Sequence, residues 1–231
     1  MKLTLFSGGA AQAVVTGLQT EFEAAHGCTL APTFGAVGTM RDKLLAGGEC
    51  DLLVLSAALI EQLARQGHVV DGSARDLGPV ATGIAVPDGA APVAVGTREA
   101  LKETLSAARG LYVPDLAKSS AGIHIAGMLQ ALGLAEVLAG RIREFPNGAT
   151  AMREMAADGG EGLVGCTQVT EIMYTPGVRL IGELPAEHAL RTVYTAAVCT
   201  RSRAPELAAM LVDRLSGAAS WDLRRRSGFA V

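Results

Sequence analysis

The chain has 231 residues, a formal net charge of −3, and 49% hydrophobic but only 4% aromatic residues. That length and apolar content allow one large domain or two small ones with a real core, and exclude a disordered chain. The weak net charge and scarce rings exclude an electrostatic or base-stacking footprint for nucleic acid, and no apolar run is long enough for membrane insertion.

Four cysteines, Cys28, Cys50, Cys166 and Cys199, lie far apart with no CxxC, and the histidines are scattered. Reduced, packed thiols are the simplest reading, and neither a metal nor a cofactor is expected. The chain as it stands begins in a strand, which predicts the cytoplasm; a leader removed from ahead of it would place it in the periplasm.

In chain order, residues 2–6 read as a strand. Ser7-Gly8-Gly9 follows, directly before a helix over 11–25 with Val14, Leu18 and Phe22 at four-residue spacing. Small residues let a backbone approach a ligand, and the first N–H groups of a helix, lacking internal partners, favour an anion. The same residues also satisfy a plain tight connection. Residues 28–34 form a second strand. Gly35-Ala36-Val37-Gly38-Thr39 is a second flexible turn, with Thr39 the expected N-cap of a helix over 40–46. Residues 51–55 are apolar without alternation, as in a buried parallel strand; Ser56 ends it and a helix over 57–66 follows. Alternating β and α with short turns predicts an open parallel sheet with helices on both faces. Ligands bind such sheets beyond the carboxyl ends of the strands, where topology puts Ser7, Thr39 and Ser56.

Residues 79–87 are a proline-flanked strand, and 77–86 read as a crossing into a second lobe. There, Thr97 caps a helix to 107, and a short strand spans 111–113. Lys118-Ser119-Ser120-Ala121-Gly122 opens a helix over 123–132. A strand over 141–145 leads through Asn147-Gly148 into a helix over 149–157. A strand over 162–166 leads through Thr167-Gln168 into a helix over 169–174, and 178–182 is a further strand. Residues 192–199 read as the return crossing, and helices over 204–215 and 218–226 close the first lobe. Trp221 is expected to pack, and Arg224-Arg225-Arg226 to form a solvated last turn at a helix C-terminus. The fold class is therefore α/β: two doubly wound lobes of mainly parallel sheet joined by two crossing strands. Lobe 1 comprises residues 1–78 and 197–231, lobe 2 comprises 79–196, and the hinges lie near 77–86 and 192–199.

With these motifs in order, the chain resembles proteins of the type II periplasmic-binding-protein fold, and among them the molybdate-binding components of ABC transporters. The resemblance rests on Ser7-Gly8-Gly9, Phe34-Gly35-Ala36-Val37-Gly38-Thr39 and Asp51-Leu52-Leu53-Val54-Leu55-Ser56-Ala57. It rests also on Ser120-Ala121-Gly122-Ile123, Gly162-Leu163-Val164-Gly165 and Ser227-Gly228-Phe229. It implies a small anionic ligand held between lobes by neutral hydroxyls and backbone N–H groups, with a transporter permease as partner. Carried over by position, the ligand shell is Ser7, Gly8 and Gly9 from the first loop and Thr39 from the second, with Ser56 on the same edge. From lobe 2 it is Ser119, Ser120 and Ala121, Asn147 or Gly148, and residues near Cys166 such as Gln168. The molybdate binders carry a Tyr after the Gly-Ile-Val strand, where this chain has Gly165-Cys166. The missing ring enlarges the pocket and points to a di- or tricarboxylate.

Two functions follow. One is a binding protein whose lobes close on an anion without chemistry. The other is an isomerase of unsaturated tricarboxylates such as aconitate, an activity known among proteins resembling the molybdate binders. Its acid and base candidates are His124 and Cys166, with Glu171 or Asp115 weaker. A third reading, the effector domain of a LysR-type regulator, lacks DNA-binding helices before the first strand. Lys118 and Arg41, the cations nearest the candidate loops, read as solvated helix-end charges.

Overall fold

The computed structural model describes residues 1–231. The chain divides into unit 1, residues 1–80 and 192–231, and unit 2, residues 81–191. Both crossings fall inside strands, β4 (Arg75–Pro87) and β9 (Arg191–Val198). Unit 1 is left after Val80, within β4, and re-entered at Thr192, within β9.

Unit 1 orders its strands β2-β1-β3-β9. β1 (Lys2–Gly8) is central, parallel to β2 (Thr29–Gly35) on one side and β3 (Leu52–Ser56) on the other. β9 joins β3 antiparallel. All five residues of β3 are buried, as a strand covered on both faces requires. A 3-10 turn, Gly9–Ala11, leads into α1 (Gln12–His26), which buries Val14, Val15, Leu18 and Phe22; Gly27, at φ 59°, closes it in the left-handed region. α2 (Val37–Leu45), α3 (Ala57–Arg65) and α9 (Pro205–Ser216) complete the layers.

The closing α10 (Trp221–Arg226) differs from its sequence reading. Trp221 is 43% exposed, with the Arg225 guanidinium 5.3 Å from its ring centroid. Arg224 is the buried residue of the basic run. Its guanidinium donates to the carbonyls of Leu77 and Gly217 and to Ser220 Oγ, which offsets its desolvation and ties the C-terminal helix to the start of β4.

Unit 2 contains the second half of β4, then α4 (Arg98–Ala107), β5 (Gly110–Pro114), α5 (Ser120–Ala131), α6 (Ala135–Leu138) and β6 (Ile142–Phe145). α7 (Gly148–Asp158), β7 (Leu163–Gln168), α8 (Val169–Tyr174) and β8 (Val178–Glu183) follow. β7, β5 and β6 are parallel in that order, while β4 runs antiparallel to both β7 and β8. One core cluster packs α4, α5 and α6 on the sheet through Leu101, Leu105, Ile125, Leu129 and Leu138. Another packs Met152 and Met155 of α7 against Tyr112. The Tyr112 hydroxyl donates to Asp158; burial first, and then that carboxylate, push its pKa up to about 12. No helix is long and apolar enough to cross a membrane.

Candidate functional site

In unit 1 the carboxyl edge of the parallel strands gathers the ends of β1, β2 and β3. Ser7 is fully buried and donates from Oγ to the Gly8 carbonyl at 2.9 Å. Gly8 is required by space: a Cβ there would meet Val37 Cγ1 at 2.8 Å and Tyr194 Cε1 at 3.0 Å. Gly9 begins the buried 3-10 turn.

Thr39 is not an N-cap. α2 begins at Val37 after an extended Ala36, so Thr39 sits inside the first turn with an exposed side chain. The Met40 N–H is the first to close an intrahelical bond, to the Ala36 carbonyl at 3.0 Å. The amides of Val37, Gly38 and Thr39 therefore point out of the helix start as donors for an anion. Ser56 precedes α3 but its hydroxyl makes no cap bond. Arg41 lies farther along α2 and pairs with Asp42 at 2.7 Å.

In unit 2 the corresponding edge carries the starts of α5, α7 and α8. Ser119 is the α5 cap, accepting from the Gly122 amide at 2.8 Å. Gly122 is confined there, since a Cβ would lie 2.0 Å from the Asp115 carbonyl oxygen. Asp115 Oδ1 accepts from the amides of Ala117 and Lys118, each at 2.8 Å, which shapes the turn and occupies this carboxylate structurally. Ser120 and Ala121 are the first helical residues. Replacing Ser119 by alanine is expected to cost about 1 kcal/mol in urea denaturation, the usual loss for an N-cap hydroxyl. A glycine at 119 should recover most of it.

His124 sits one turn into α5. Its Nε2 lies 2.7 Å from the His188 carbonyl, so Nε2 carries the proton and Nδ1 is left as the acceptor of the neutral ring. His188 itself is buried, and its Nε2 has no partner.

The start of α7 behaves differently from that of α5. Asn147 caps it, accepting from the Thr150 amide at 2.8 Å. The Gly148 amide donates to Glu171 Oε1 at 3.1 Å, and Thr167 Oγ1 donates to Glu171 Oε2 at 2.6 Å. The amides of Ala149 and Gln168 also reach this carboxylate. Burial raises the Glu171 pKa above its ordinary 4.5, against these hydrogen bonds, which favour the charged form. Four donors face a carboxyl that burial still holds above its ordinary pKa. The chain thus fills the anion-favouring start of α7 with its own side chain. Sequence reading offered Glu171 only as a weak catalytic group. A Thr four residues before a Glu is the one local signal of the pair, and Gly148 is far away in the chain.

Cys166 does not lie at an open strand end. It is fully buried in the apolar cluster with Ile84, Leu111 and Val113, and burial pushes its thiol up to about 12. It is protonated at neutral pH and shares no hydrogen bond with His124, so the two do not form an acid–base pair. Gln168 is buried at the end of β7, opposite Thr82 of β4. The hydroxyls of Thr82 and Thr170, both buried near that strand end, have no hydrogen-bond partner, an unmet demand that sequence did not reveal. No group of three or more His, Cys, Asp or Glu side chains is arranged to hold a metal ion.

The unit 1 edge carries helix-start amides and neutral hydroxyls, and the unit 2 edge carries the same with His124 one turn into α5. The chain is similar to an aconitate isomerase of a Pseudomonas species, 26% identical over 223 residues, covering 93% of this chain and 82% of that protein. Its fold matches the periplasmic molybdate-binding protein of Azotobacter vinelandii with a TM-score of 0.82 at 16% identity, over 99% of both chains. It also matches the sulfate-binding protein of Mycobacterium tuberculosis with a TM-score of 0.74 at 15% identity, over 99% of this chain and 86% of that one. These likenesses bear out the type II periplasmic-binding-protein fold expected from the sequence. Residues 3–230, nearly the whole chain, match the family described as bacterial extracellular solute-binding protein, and the chain belongs to that family.

Proposed function

We propose that this chain binds a small organic anion of the di- or tricarboxylate class, as the solute-binding component that hands its ligand to an ABC transporter permease. Family membership supports the binding role, and ABC transporter proteins for molybdenum and tungstate among its structural neighbours support the permease. The observation that carries the choice of anion is Glu171 on the α7 start. A fixed internal carboxyl there takes up one set of amide donors that a compact tetrahedral dianion would need. A carboxylate ligand spreads its charge and needs fewer donors; the α2-start amides remain as donors in unit 1, and those of Ser120 and Ala121 in unit 2.

The experiment is a thermal-shift and calorimetric series with molybdate, tungstate, sulfate, phosphate, citrate and aconitate. A ligand at about 100 times its Kd stabilises by roughly 2.7 kcal/mol, a readily measured shift. Tricarboxylates are expected to shift the melting temperature and tetrahedral oxyanions are not; the reverse pattern refutes the reading. A permease partner predicts that the loaded protein stimulates its transporter's ATPase in vesicles.

A second reading, isomerisation of a tricarboxylate, is favoured by the match to an aconitate isomerase and by His124, whose ring is held through Nε2 with Nδ1 outside that contact as the candidate base. Proton NMR of aconitate with the protein separates the two. New isomer signals that vanish in His124→Ala make it an enzyme; an unchanged spectrum at stoichiometric protein leaves a binder.

A further inference from the structure

Two buried polar atoms of unit 2, Thr82 Oγ1 and His188 Nε2, have no hydrogen-bond partner. Thr82 is 1% exposed and His188 8%. Leaving a buried donor unpaired costs free energy, so native chains keep few such groups. Strand register places the first of them. Thr82 faces Gln168 of β7, and the next pair on that side, Ile84 and Cys166, belongs to the core cluster under α5. Residues two apart share a sheet face, so Thr82 extends that row toward the carboxyl end of β7. Gly83, between them, looks to the other face, where a Cβ would meet Val169 of α8 at 3.1 Å. α5 packs on β5 and β7, and its Ala121 belongs to the same cluster as Ile84. Since α5 follows β5 and runs back along it, its start lies at the same carboxyl end as Thr82.

His188 is held at that corner too. The segment after β8 hangs on Thr82 itself: the Leu184 amide donates to the Thr82 carbonyl, and the Thr82 amide to the Leu190 carbonyl, each at 3.0 Å. The His188 carbonyl accepts from His124, one turn into α5. At the α5 start the Ser119 and Ile123 amides bond the carbonyls of Asp115 and Ser119, and the Gly122 amide bonds Ser119 Oγ. The amides of Ser120 and Ala121 remain, two adjacent donors at the positive end of the helix dipole.

Given the anion-binding role proposed above, we infer that Thr82 and His188 are specificity-determining residues of the ligand site. Thr82 Oγ1 and His188 Nε2 donate to one anionic oxygen group of the ligand, a carboxylate in that reading, which the Ser120 and Ala121 amides also hold. A carboxylate has two oxygens and about four lone-pair directions, one for each of these donors. A ligand without an oxygen acceptor in this place would leave both groups unpaired, so the subsite selects against it.

The cost of the unpaired groups falls on the ligand-free chain, which gives stability and affinity different signs. Thr82→Val keeps the shape and removes a hydroxyl that bonds nothing, so the ligand-free melting temperature is expected to hold or rise. Affinity should fall about ten- to a hundredfold, the loss of one hydrogen bond to a charged group.

The test is calorimetric titration of the folded full chain with citrate, aconitate, molybdate and sulfate, beside melting of each variant without ligand. Thr82→Ser should keep the affinity that Thr82→Val loses. His188→Gln, whose amide reaches the place of Nε2, should bind more tightly than His188→Asn, whose amide does not. An unchanged Kd in either Thr82→Val or His188→Asn, or a lower melting temperature of ligand-free Thr82→Val, would assign these groups to the fold and overturn the inference. A chain that takes molybdate or sulfate and no polycarboxylate refutes the proposed ligand class alone. Thr82→Val titrated with that oxyanion then decides the subsite: a tenfold loss supports it and an unchanged Kd overturns it. Binding of none of the four anions overturns both.

Discussion

Asp51→Ala is expected to destabilise the chain by roughly 3–5 kcal/mol, because four donors converge on one buried carboxylate. Asp51 is 5% exposed. Its Oδ2 accepts from the Thr4 amide at 2.7 Å and the Thr4 hydroxyl at 2.8 Å; Oδ1 accepts from Ser202 Oγ and the Arg203 amide, both at 2.9 Å. The carboxylate thereby joins the central strand β1 to the segment after β9, a contact between distant parts of the chain. Alanine removes the acceptor and leaves these donors without it. Asparagine keeps the shape but turns an NH₂ toward two donors, so it should lose about half as much. The check is the shift in urea midpoint at unchanged slope.

The pH dependence has a definite sign. Burial raises the pKa of Asp51, but the hydrogen bonds outweigh it and hold the carboxyl below its ordinary 3.8. The folded state therefore binds this proton less readily than the unfolded chain. The stabilisation is full above the unfolded value and is lost as pH falls through the folded one. Asp51→Asn should flatten this acid limb, and an unaltered limb would assign it to other carboxylates.

What could be read from the sequence tracks how local the deciding contact is. The strand, Ser-Gly-Gly turn and helix of residues 2–26 are set by periodicity and neighbouring glycines, and they appear where expected. So does the Thr97 cap, and Ser119 and Asn147, placed by sequence only in turns that open helices, also cap theirs, each with a partner three residues along the chain. Thr39 has the right chemistry for a cap, yet α2 begins earlier because Val37 packs over Gly8, a contact from another strand. Of three consecutive arginines, only Arg224 faces carbonyls of the chain's interior, and composition cannot say which one turns inward. Cys166 looked like a strand end, but every residue of β7 is buried through Gln168. The helix starts that offer donors were legible as topology. That one of them is already filled was not, because Gly148 and Glu171 meet only in the folded unit.

Gly148→Ala is the sharpest test of that filled helix start, with an expected cost of about 3 kcal/mol or more from overpacking. A Cβ at 148 would lie 1.9 Å from Thr167 Oγ1 and 2.1 Å from Glu171 Oε2, so the carboxylate must leave its donors. Glu171→Ala should also destabilise, by leaving the amides of Gly148, Ala149 and Gln168 without their acceptor. Both changes strike one cluster, so the double variant should be less destabilised than the sum of the singles, by roughly 0.5–3 kcal/mol. Strict additivity in urea denaturation would refute the shared cluster.

Here the pH sign is opposite to that of Asp51. Glu171 has a raised pKa, so the folded state binds its proton more readily, and its contribution falls as pH rises from 4.5 toward the folded value. Glu171→Gln removes that fall. The same residue links stability to ligand choice. With its carboxylate gone, the α7 amides are open to an outside anion. Sulfate or molybdate should then raise the melting temperature of Glu171→Ala more than that of the unaltered chain. Equal shifts would mean that the start of α7 takes no part in selecting the anion.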